Sequence, residues 1–596
     1  MSTNDEYKTI KCRLRTILHD DIDYSFLQDT VQRTNNIVFI LSHFIRGFIL
    51  FRYKKNLSIP NIDKTFISSI VKFLSKSSSG PKIKNRNNEH HESIKEFYDN
   101  HFKCILTDLK IDPKFDKSNL SYIIKDSIVE MVTCYTNNIQ MNYFKYLCQF
   151  TNEYFKESNE KLIDNSDDKK ETRKNVKKEL YNLKIALMEN NNDYNKKFKP
   201  FVDKYKAHIL PILNRSSYKT QLSVEPYSFI KCMLFMNSYL EGNGLKSFQP
   251  ISLRSDIKDK YIPINTNALV DIFNFKNKQE YFFKIRDYAD YIWNKVFNIS
   301  NKHIKIKDHY FCHQLHTDGY GVSLIFNLND KKINRDARIE AMINGRNIAK
   351  NLYNGKTDEE IKIIIEENNK KKHKKDEQLK EIFKVKLQNK KEQFKKLSKE
   401  TQDKITLENK IKKSEFPHVG DLIKNSSFQK NLKEWKDNGN LVYVDPGKRS
   451  IGTFMSDNGT RFNYTANRRI KDTMRKKYNI LIDNCKYKTT INGKTIKKVE
   501  ENLSQYNGKT INLDYFLKFT KEKIKFRRDV VDEECYNEYL KKLKYFTYLN
   551  TEKHEKKILD ELEALYGSNA RMIVGDWSNR CNLKYISTPC LGFKRM

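Results

Sequence analysis

One carboxylate, Asp445, stands where a strand is predicted to end, a position that can hold a metal ion. The apolar residues 441–444 before it are typical of a buried strand, and Pro-Gly after it stops the run. Two further runs, 451–455 and 461–464, are joined by the turn signal Ser-Asp-Asn-Gly and predict a hairpin. A pair of magnesium ions needs several convergent carboxylates, so Asp445 would require partners. The alternative is an ordinary turn aspartate before Pro-Gly.

The motif V-D-P-G-K-R-S-I-G at residues 444–452, followed by Y-T-A-N-R-R at 464–469, resembles the first RuvC motif of the Fanzor proteins. These are eukaryotic and giant-virus relatives of the transposon-encoded TnpB nucleases and of type V CRISPR effectors. The resemblance implies an RNA-guided, magnesium-dependent DNA endonuclease whose partners are guide RNA and DNA. It makes Asp445 a catalytic Mg2+ ligand, and it implies a protein of the nucleus or of a viral factory.

Basic residues lie within and directly after this motif, and residues 467–484 are typical of a basic helix. The candidate contacts to nucleic acid are Lys448, Arg449, Arg468, Arg469, Arg475 and Lys476. The whole chain has 112 Lys and Arg against 75 Asp and Glu, which gives a formal net charge of +37. Such an excess favours a polyanion partner, and nucleic acid is the first expectation.

Two earlier segments resemble the same family. Residues 248–273, which read FQPISLRSDIKDKYIPINTNALVDIF, match a Fanzor segment in which P-l-R-s and y-I-p-I-D-T occur. Asn265 stands where the family usually has Asp, at a position that is not catalytic. Residues 310–329 match through T-D-G and the strand after it, and Asp318-Gly319 predicts a hairpin turn. The order and spacing of the three segments make the resemblance stronger than any one of them.

Histidines in the third segment raise a second metal hypothesis. His313 and His316 lie close to Cys312, but a fourth ligand is missing. A strand–turn–strand with incidental histidines is therefore favoured over a zinc site.

The stretch RMIVGDWS at residues 571–578 predicts a strand and resembles the second RuvC motif. Most RuvC nucleases carry a catalytic Glu at the position of Gly575. Asp576 is the adjacent candidate, although alternation along a strand would point it the opposite way. Family members continue past this region with a later Glu, a zinc ribbon and a final Asp, which are absent up to Met596.

The resemblance therefore predicts a C-terminally truncated homologue that cleaves only if a separately encoded C-terminal fragment supplies those elements. The alternative is an inactive nucleic-acid-binding remnant. The ten cysteines form no C-x-x-C pair, so we expect no zinc site and an intracellular protein with reduced thiols. The apolar run 37–51 contains His43 and Arg46 and predicts a buried helix, not a membrane span.

The predicted fold class is multidomain α+β, with a β-barrel wedge domain, a helical recognition lobe inserted in it, and an incomplete RNase H-like (RuvC) α/β domain. Alternation in residues 7–18 predicts the first wedge strand. The expected domains are a first wedge strand (1–20), a helical recognition lobe (21–245), the remaining wedge barrel (246–329), a charged helical insertion (330–440) and a partial RuvC domain (441–596).

Overall fold

The computed structural model describes most of the 596 residues. The described residues are 7–76, 91–254, 259–301, 304–329, 388, 392, 394, 398–413, 426–439, 441–447, 450–531 and 534–575. This part of the chain is mixed α/β, with helices predominating and two four-stranded sheets.

The first sheet is antiparallel and joins strands from distant parts of the chain. Its strands are β1 (Tyr7–Arg13), β2 (Ile262–Asn265), β3 (His309–Thr317) and β4 (Gly321–Leu328), in the order β1-β4-β3-β2. The strand predicted for residues 7–18 ends earlier, at Arg13. Leu14 begins a short 3₁₀ turn, where its side chain is buried and its N–H donates to Tyr320 O at 2.8 Å. Among the described pairings, β1 and β2 are the two edges, so these strands form an open sheet.

A large helical body is inserted between β1 and β2. Its helices are α1 (Tyr24–Lys54), α2 (Lys64–Leu74), α3 (His91–Phe97), α4 (Lys103–Asp108), α5 (Ser121–Tyr154), α6 (Lys156–Asp164), α7 (Lys169–Glu189), α8 (Lys199–Ile209), α9 (Tyr218–Val224) and α10 (Ile230–Gly242). Asp23 and Asp63 cap α1 and α2 by accepting backbone N–H bonds at 2.9 and 2.8 Å. The predicted helical block is thus observed as one inserted body.

Helix α1 is the central helix of that body. It is long and apolar enough to cross a membrane, yet 94% of its most apolar window is buried inside the protein. This burial matches the buried helix predicted for residues 37–51.

The hairpin predicted at Asp318-Gly319 is observed between β3 and β4. Asp318 Oδ1 accepts the N–H of Gly321 at 2.9 Å, and Gly319 has φ 84°, which glycine adopts without a steric penalty. His313 lies in an irregular stretch of β3, where its Nε2 is 2.7 Å from Asp290 Oδ1. Helices α11 (Thr266–Phe273), α12 (Lys278–Phe283) and α13 (Ala289–Val296) connect β2 to β3.

The predicted charged insertion at 330–440 lies mostly outside the described residues. Its described helices are α14 (Lys399–Lys413) and α15 (Ser426–Asp437).

The second sheet has the order β10-β5-β6-β7 and carries Asp445. The elements of this region are β5 (Leu441–Asp445), β6 (Ser450–Ser456), β7 (Arg461–Thr465), α16 (Ala466–Asp472), α17 (Arg475–Lys488), β8 (Thr490–Ile491), β9 (Lys494–Thr495), α18 (Ile496–Leu503), α19 (Leu513–Val531), α20 (Glu534–Tyr566) and β10 (Arg571–Val574). The strands predicted at 441–444, 451–455 and 461–464 are observed. The strand predicted at 571–578 is observed over Arg571–Val574, and residues 576–578 lie outside the described residues. Helix α20 ends at Gly567, whose φ is 80° and whose N–H donates to Glu563 O at 2.8 Å.

Helix α20 covers one face of this sheet. Ile558 and Leu562 pack against the buried side chains of Val442, Val444 and Phe454. Tyr443, between the two valines, pairs with Met455 and points to the opposite face, where the two side chains are 39% and 49% exposed. The described sheet is therefore closed on one side by α20 and open on the other.

Candidate metal and nucleic-acid site

Asp445 is the last residue of β5, an inner strand of the second sheet. Its neighbours are β6, where Thr453 is its antiparallel partner, and β10, which runs parallel to β5. The Asp445 side chain is exposed. Because parallel strands end at the same edge of a sheet, the carboxyl end of β10 reaches the edge that carries Asp445.

The turn after Asp445 is tight and depends on Gly447. A Cβ added to Gly447 would lie 2.8 Å from Ser450 O, so any side chain there would displace the backbone. This turn brings the chain back into β6 beside β5. Lys448 and Arg449, two of the predicted nucleic-acid contacts, lie outside the described residues.

Gly575 directly follows β10 and lies next to the strand that carries Asp445. Its N–H donates to Val444 O at 2.9 Å, and an added Cβ would be 3.3 Å from Pro446 Cδ. A larger residue at this position would have to push Pro446 aside. The second catalytic candidate, Asp576, lies outside the described residues.

Among the described residues, the donor set around Asp445 does not fit a pair of magnesium ions. Within the described ranges, no group of three or more His, Cys, Asp or Glu side chains converges on a possible metal position. One carboxylate supplies at most two of the six oxygens that Mg2+ prefers. Asp445 alone is therefore an incomplete metal site.

Two of the predicted nucleic-acid contacts, Arg468 and Arg469, are ion-paired with α20. Arg468 Nη2 contacts both carboxylate oxygens of Glu561, at 2.5 and 2.7 Å, and this pairing raises the pKa of the guanidinium. Arg469 Nη2 lies 3.8 Å from Glu555 Oε1. These arginines hold α16 against α20, and their guanidinium groups are committed to carboxylates.

A buried chain of polar groups adds a further anchor that the sequence reading missed. His554 of α20 lies with Nδ1 3.1 Å from Asp472 Oδ2 and Nε2 3.1 Å from the Tyr464 hydroxyl. Burial lowers the pKa of His554, so its neutral form is favoured. The available signal was spacing, since His554 shares a helical stripe with Ile558 and Leu562, which cover the sheet.

Arg475 and Lys476 differ from the two paired arginines. The single basic helix predicted for 467–484 is broken at Met474, whose φ is 57°, and Arg475 begins the second helix, α17. Both side chains are exposed, and neither has an ion pair with another described residue. We name the paired helices α16 and α17 (466–488) the basic elbow.

Helix α20 contacts both helices of the basic elbow. Asn550 Nδ2 donates to the Tyr478 hydroxyl at 3.1 Å, which ties α17 to the same helix that anchors α16. The elbow thus presents exposed cations on a support that also carries the sheet with Asp445.

Comparison with known protein families matches one segment of the chain. A family described as a domain of unknown function (DUF8286) matches residues 262–328, from β2 to the end of β4. No curated protein matches the chain. The matched stretch contains the hairpin at Asp318 and excludes Asp445.

Proposed function

We propose that the chain is a nucleic-acid-binding protein of the TnpB and Fanzor type, which holds a guide RNA and its DNA target. In this proposal it cleaves DNA, with Mg2+ at Asp445, only when further carboxylates join Asp445. The region from β5 to β10 is the nuclease-like part. The helical body between β1 and β2 contacts the sugar-phosphate backbone of the RNA–DNA duplex.

The position of Asp445 is the observation that carries the proposal. Three consecutive antiparallel strands are followed by helices and then by a strand that returns parallel to the first of them. Asp445 lies at the carboxyl end of that first strand. This arrangement is the one in which an RNase H-like nuclease places its first metal ligand, so it supports the resemblance seen in the motif.

The charge distribution supports the nucleic-acid part of the proposal. The formal net charge is +37, and the basic elbow exposes Arg475 and Lys476 close in sequence to the strand hairpin. We assign phosphate contacts to these two residues and to Lys448 and Arg449 of the motif. Arg468 and Arg469 act by positioning the elbow through their ion pairs with α20.

A second candidate is a protein that binds nucleic acid without cutting it. The isolation of Asp445 among the described residues and the crowding of Gly575 against Pro446 favour it. The two candidates agree on binding and differ only in magnesium-dependent cleavage.

Binding is tested first, with purified full-length chain and labelled single-stranded RNA and DNA oligonucleotides. We expect RNA to copurify and the association constant to fall roughly a thousandfold or more between about 50 and 200 mM salt, because many phosphates are neutralised. Absence of bound RNA together with salt-independent behaviour would contradict the proposal.

The role of Asp445 is tested with two matched variants in the same sheet. Asp445→Ala should keep oligonucleotide affinity and abolish any magnesium-dependent cleavage, since proximity and metal binding supply most phosphoryl-transfer catalysis. Asp457→Ala, in the exposed β6–β7 turn, should keep both. Cleavage that persists in Asp445→Ala would remove Asp445 from the mechanism.

A further inference from the structure

The basic elbow contains an apolar groove that phosphate binding does not require. Its cavity is about 580 Å³, and its walls are formed by Ile470, Met474, Ile480 and Leu481. Three of these side chains are substantially exposed: Ile470 by 40%, Met474 by 43% and Ile480 by 50%. An occupant that covers these grouped apolar side chains would remove their exposed area from water, which favours binding.

Lysines surround this groove. Lys471, Lys476 and Lys477 line it, all three are exposed, and none forms an ion pair with another described side chain. Within residues 466–481 there are six Lys and Arg and one acidic residue, Asp472, which faces His554. An occupant should therefore combine apolar anchors with negative charge around them.

The walls distinguish between two kinds of acidic occupant. Nucleobases bind protein mainly by stacking on aromatic rings or on Arg planes, and the residues lining the groove are aliphatic, Met, Lys and Asn. Branched aliphatic and Met side chains instead pack against the apolar face of a helix, with Met adapting to irregular shapes. The groove is thus better matched to a peptide than to bases.

We propose that this groove binds an acidic amphipathic helix of a partner protein. Leucine-like residues at positions i, i+3, i+4 and i+7 of the partner fill the space between Ile470 and Ile480, and its Asp and Glu residues face the three lysines. Because Lys476 belongs to both surfaces, the partner helix competes with nucleic acid for the elbow. The competition rests on the proposed nucleic-acid binding, whereas the peptide-binding groove does not.

The probe is a synthetic peptide of about 15 residues, with leucine at the four helical positions and glutamate elsewhere. A second peptide of the same composition, with the leucines out of helical register, controls for non-specific attraction by the positive charge. Fluorescence anisotropy with full-length protein should show binding of the first peptide and at least about tenfold weaker binding of the second.

Three variants locate the binding. Ile470→Ser with Ile480→Ser should weaken the first peptide about tenfold or more and leave binding of an oligo-dT probe within about twofold. Lys476→Gln with Lys477→Gln should weaken both probes. Leu559→Ser with Leu565→Ser, exposed positions of α20 that are 45% and 46% accessible, should change neither. Circular dichroism melts confirm that each variant is folded.

Each contrary result has a definite meaning. Equal affinity of the two peptides, or unchanged peptide affinity in the isoleucine variant, would refute the helix-binding groove. A tenfold loss of oligo-dT affinity in the isoleucine variant would show that nucleic acid occupies the groove, and this would also overturn the proposal. If the wild-type protein did not bind the oligonucleotide, the proposed function would be contradicted, while peptide binding would still support the helix-binding groove.

Discussion

The interface between α1 and α19 buries charged side chains, whereas the outer face of the second sheet leaves large side chains exposed. At the interface, Arg46 and His43 are fully buried and Arg527 is 3% exposed. On the sheet, the apolar Tyr443 and Met455 remain 39% and 49% exposed. Among the described residues, the helical body thus buries charged side chains, while large side chains on one face of the sheet remain exposed.

Arg527 of this interface and Lys541 of α20 share a single carboxylate. Asp259, whose side chain is fully buried, lies 2.9 Å from Arg527 Nη2 and 3.0 Å from Lys541 Nζ, and it also accepts from Asn537 at 3.0 Å. Arg527 donates in addition to Asn36 of α1 at 2.9 Å. Asp259, in the segment before β2, therefore contacts α19 and α20 directly, and Arg527 extends this contact to α1.

Further along the same interface the polar groups are less well matched. Arg46 stacks over Phe516 and donates to Thr510 O at 3.4 Å, while its Nε and Nη1 have no hydrogen-bond partner among the described residues. Burial lowers the pKa of Arg46 to about 9. The body should therefore be sensitive to loss of a buried charge partner, and the sheet to loss of its packing under α20.

The largest expected effect follows from removing the shared carboxylate. Asp259→Ala leaves Arg527 and Lys541 buried without a counter-charge, which should lower the free energy of unfolding by about 3–5 kcal/mol. Urea titration measures the change. The control is Glu157→Ala, which breaks an exposed pair with Lys161 and should leave the free energy of unfolding nearly unchanged. Equal effects of the two substitutions would show that the buried cluster is not a stabilising contact.

Loss of packing should destabilise the sheet, and the effect should be confined to the sheet. Ile558→Ala opens a cavity beneath Val442 and Val444, with an expected cost of about 2–4 kcal/mol. Hydrogen exchange should then accelerate in β5 to β7 and remain slow in α1, since the cavity is confined to the smaller core. Uniform acceleration through α1 would mean that the sheet and the body unfold as one unit.

His43, in the α1–α19 interface, should make the free energy of unfolding depend on pH. Burial lowers its pKa to about 3, so the folded protein keeps His43 neutral while the unfolded chain takes up a proton below about pH 6.5. Stability should therefore fall as the pH drops from about 6.5 towards 3, by roughly 1.4 kcal/mol per unit.

His43→Leu removes this titrating group from the α1–α19 interface. The plot of unfolding free energy against pH should flatten by about one proton between pH 6 and 4. Some slope should remain, because burial lowers the pKa of His554 beneath the sheet as well. An unchanged slope in the variant would exclude His43 as the source of acid sensitivity.

Local patterns in the sequence predicted the elements that local forces determine. The strands predicted at 441–444, 451–455 and 461–464 and the turn at Asp318-Gly319 are found as expected, and the described part of the strand predicted at 571–578 is found at Arg571–Val574. Each is specified by side-chain periodicity or turn chemistry within a few residues. The prediction that the first strand continues to residue 18 was wrong, since β1 ends at Arg13. The burial of Leu14 and its hydrogen bond to Tyr320 are tertiary contacts, which the local sequence does not show.

Contacts between distant segments were not accessible from the sequence. Nothing in the local pattern links Asp259 to Lys541, or Asp472 to His554, because these pairs form only after the helices pack. The same holds for the site. Asp445 was recognisable at the end of its strand, whereas the commitment of Arg468 and Arg469 to α20 depends on glutamates about ninety residues away.

The most direct test of the account compares paired with unpaired cations in the basic elbow. Oligonucleotide affinity is measured against salt for Arg475→Gln with Lys476→Gln and for Arg468→Gln, beside the wild type. We expect the first variant to bind more weakly and to lose about two units of the salt slope, while Arg468→Gln keeps the slope. An unchanged slope in the first variant, or an equal loss in both, would contradict the assignment of the elbow as the phosphate-binding surface.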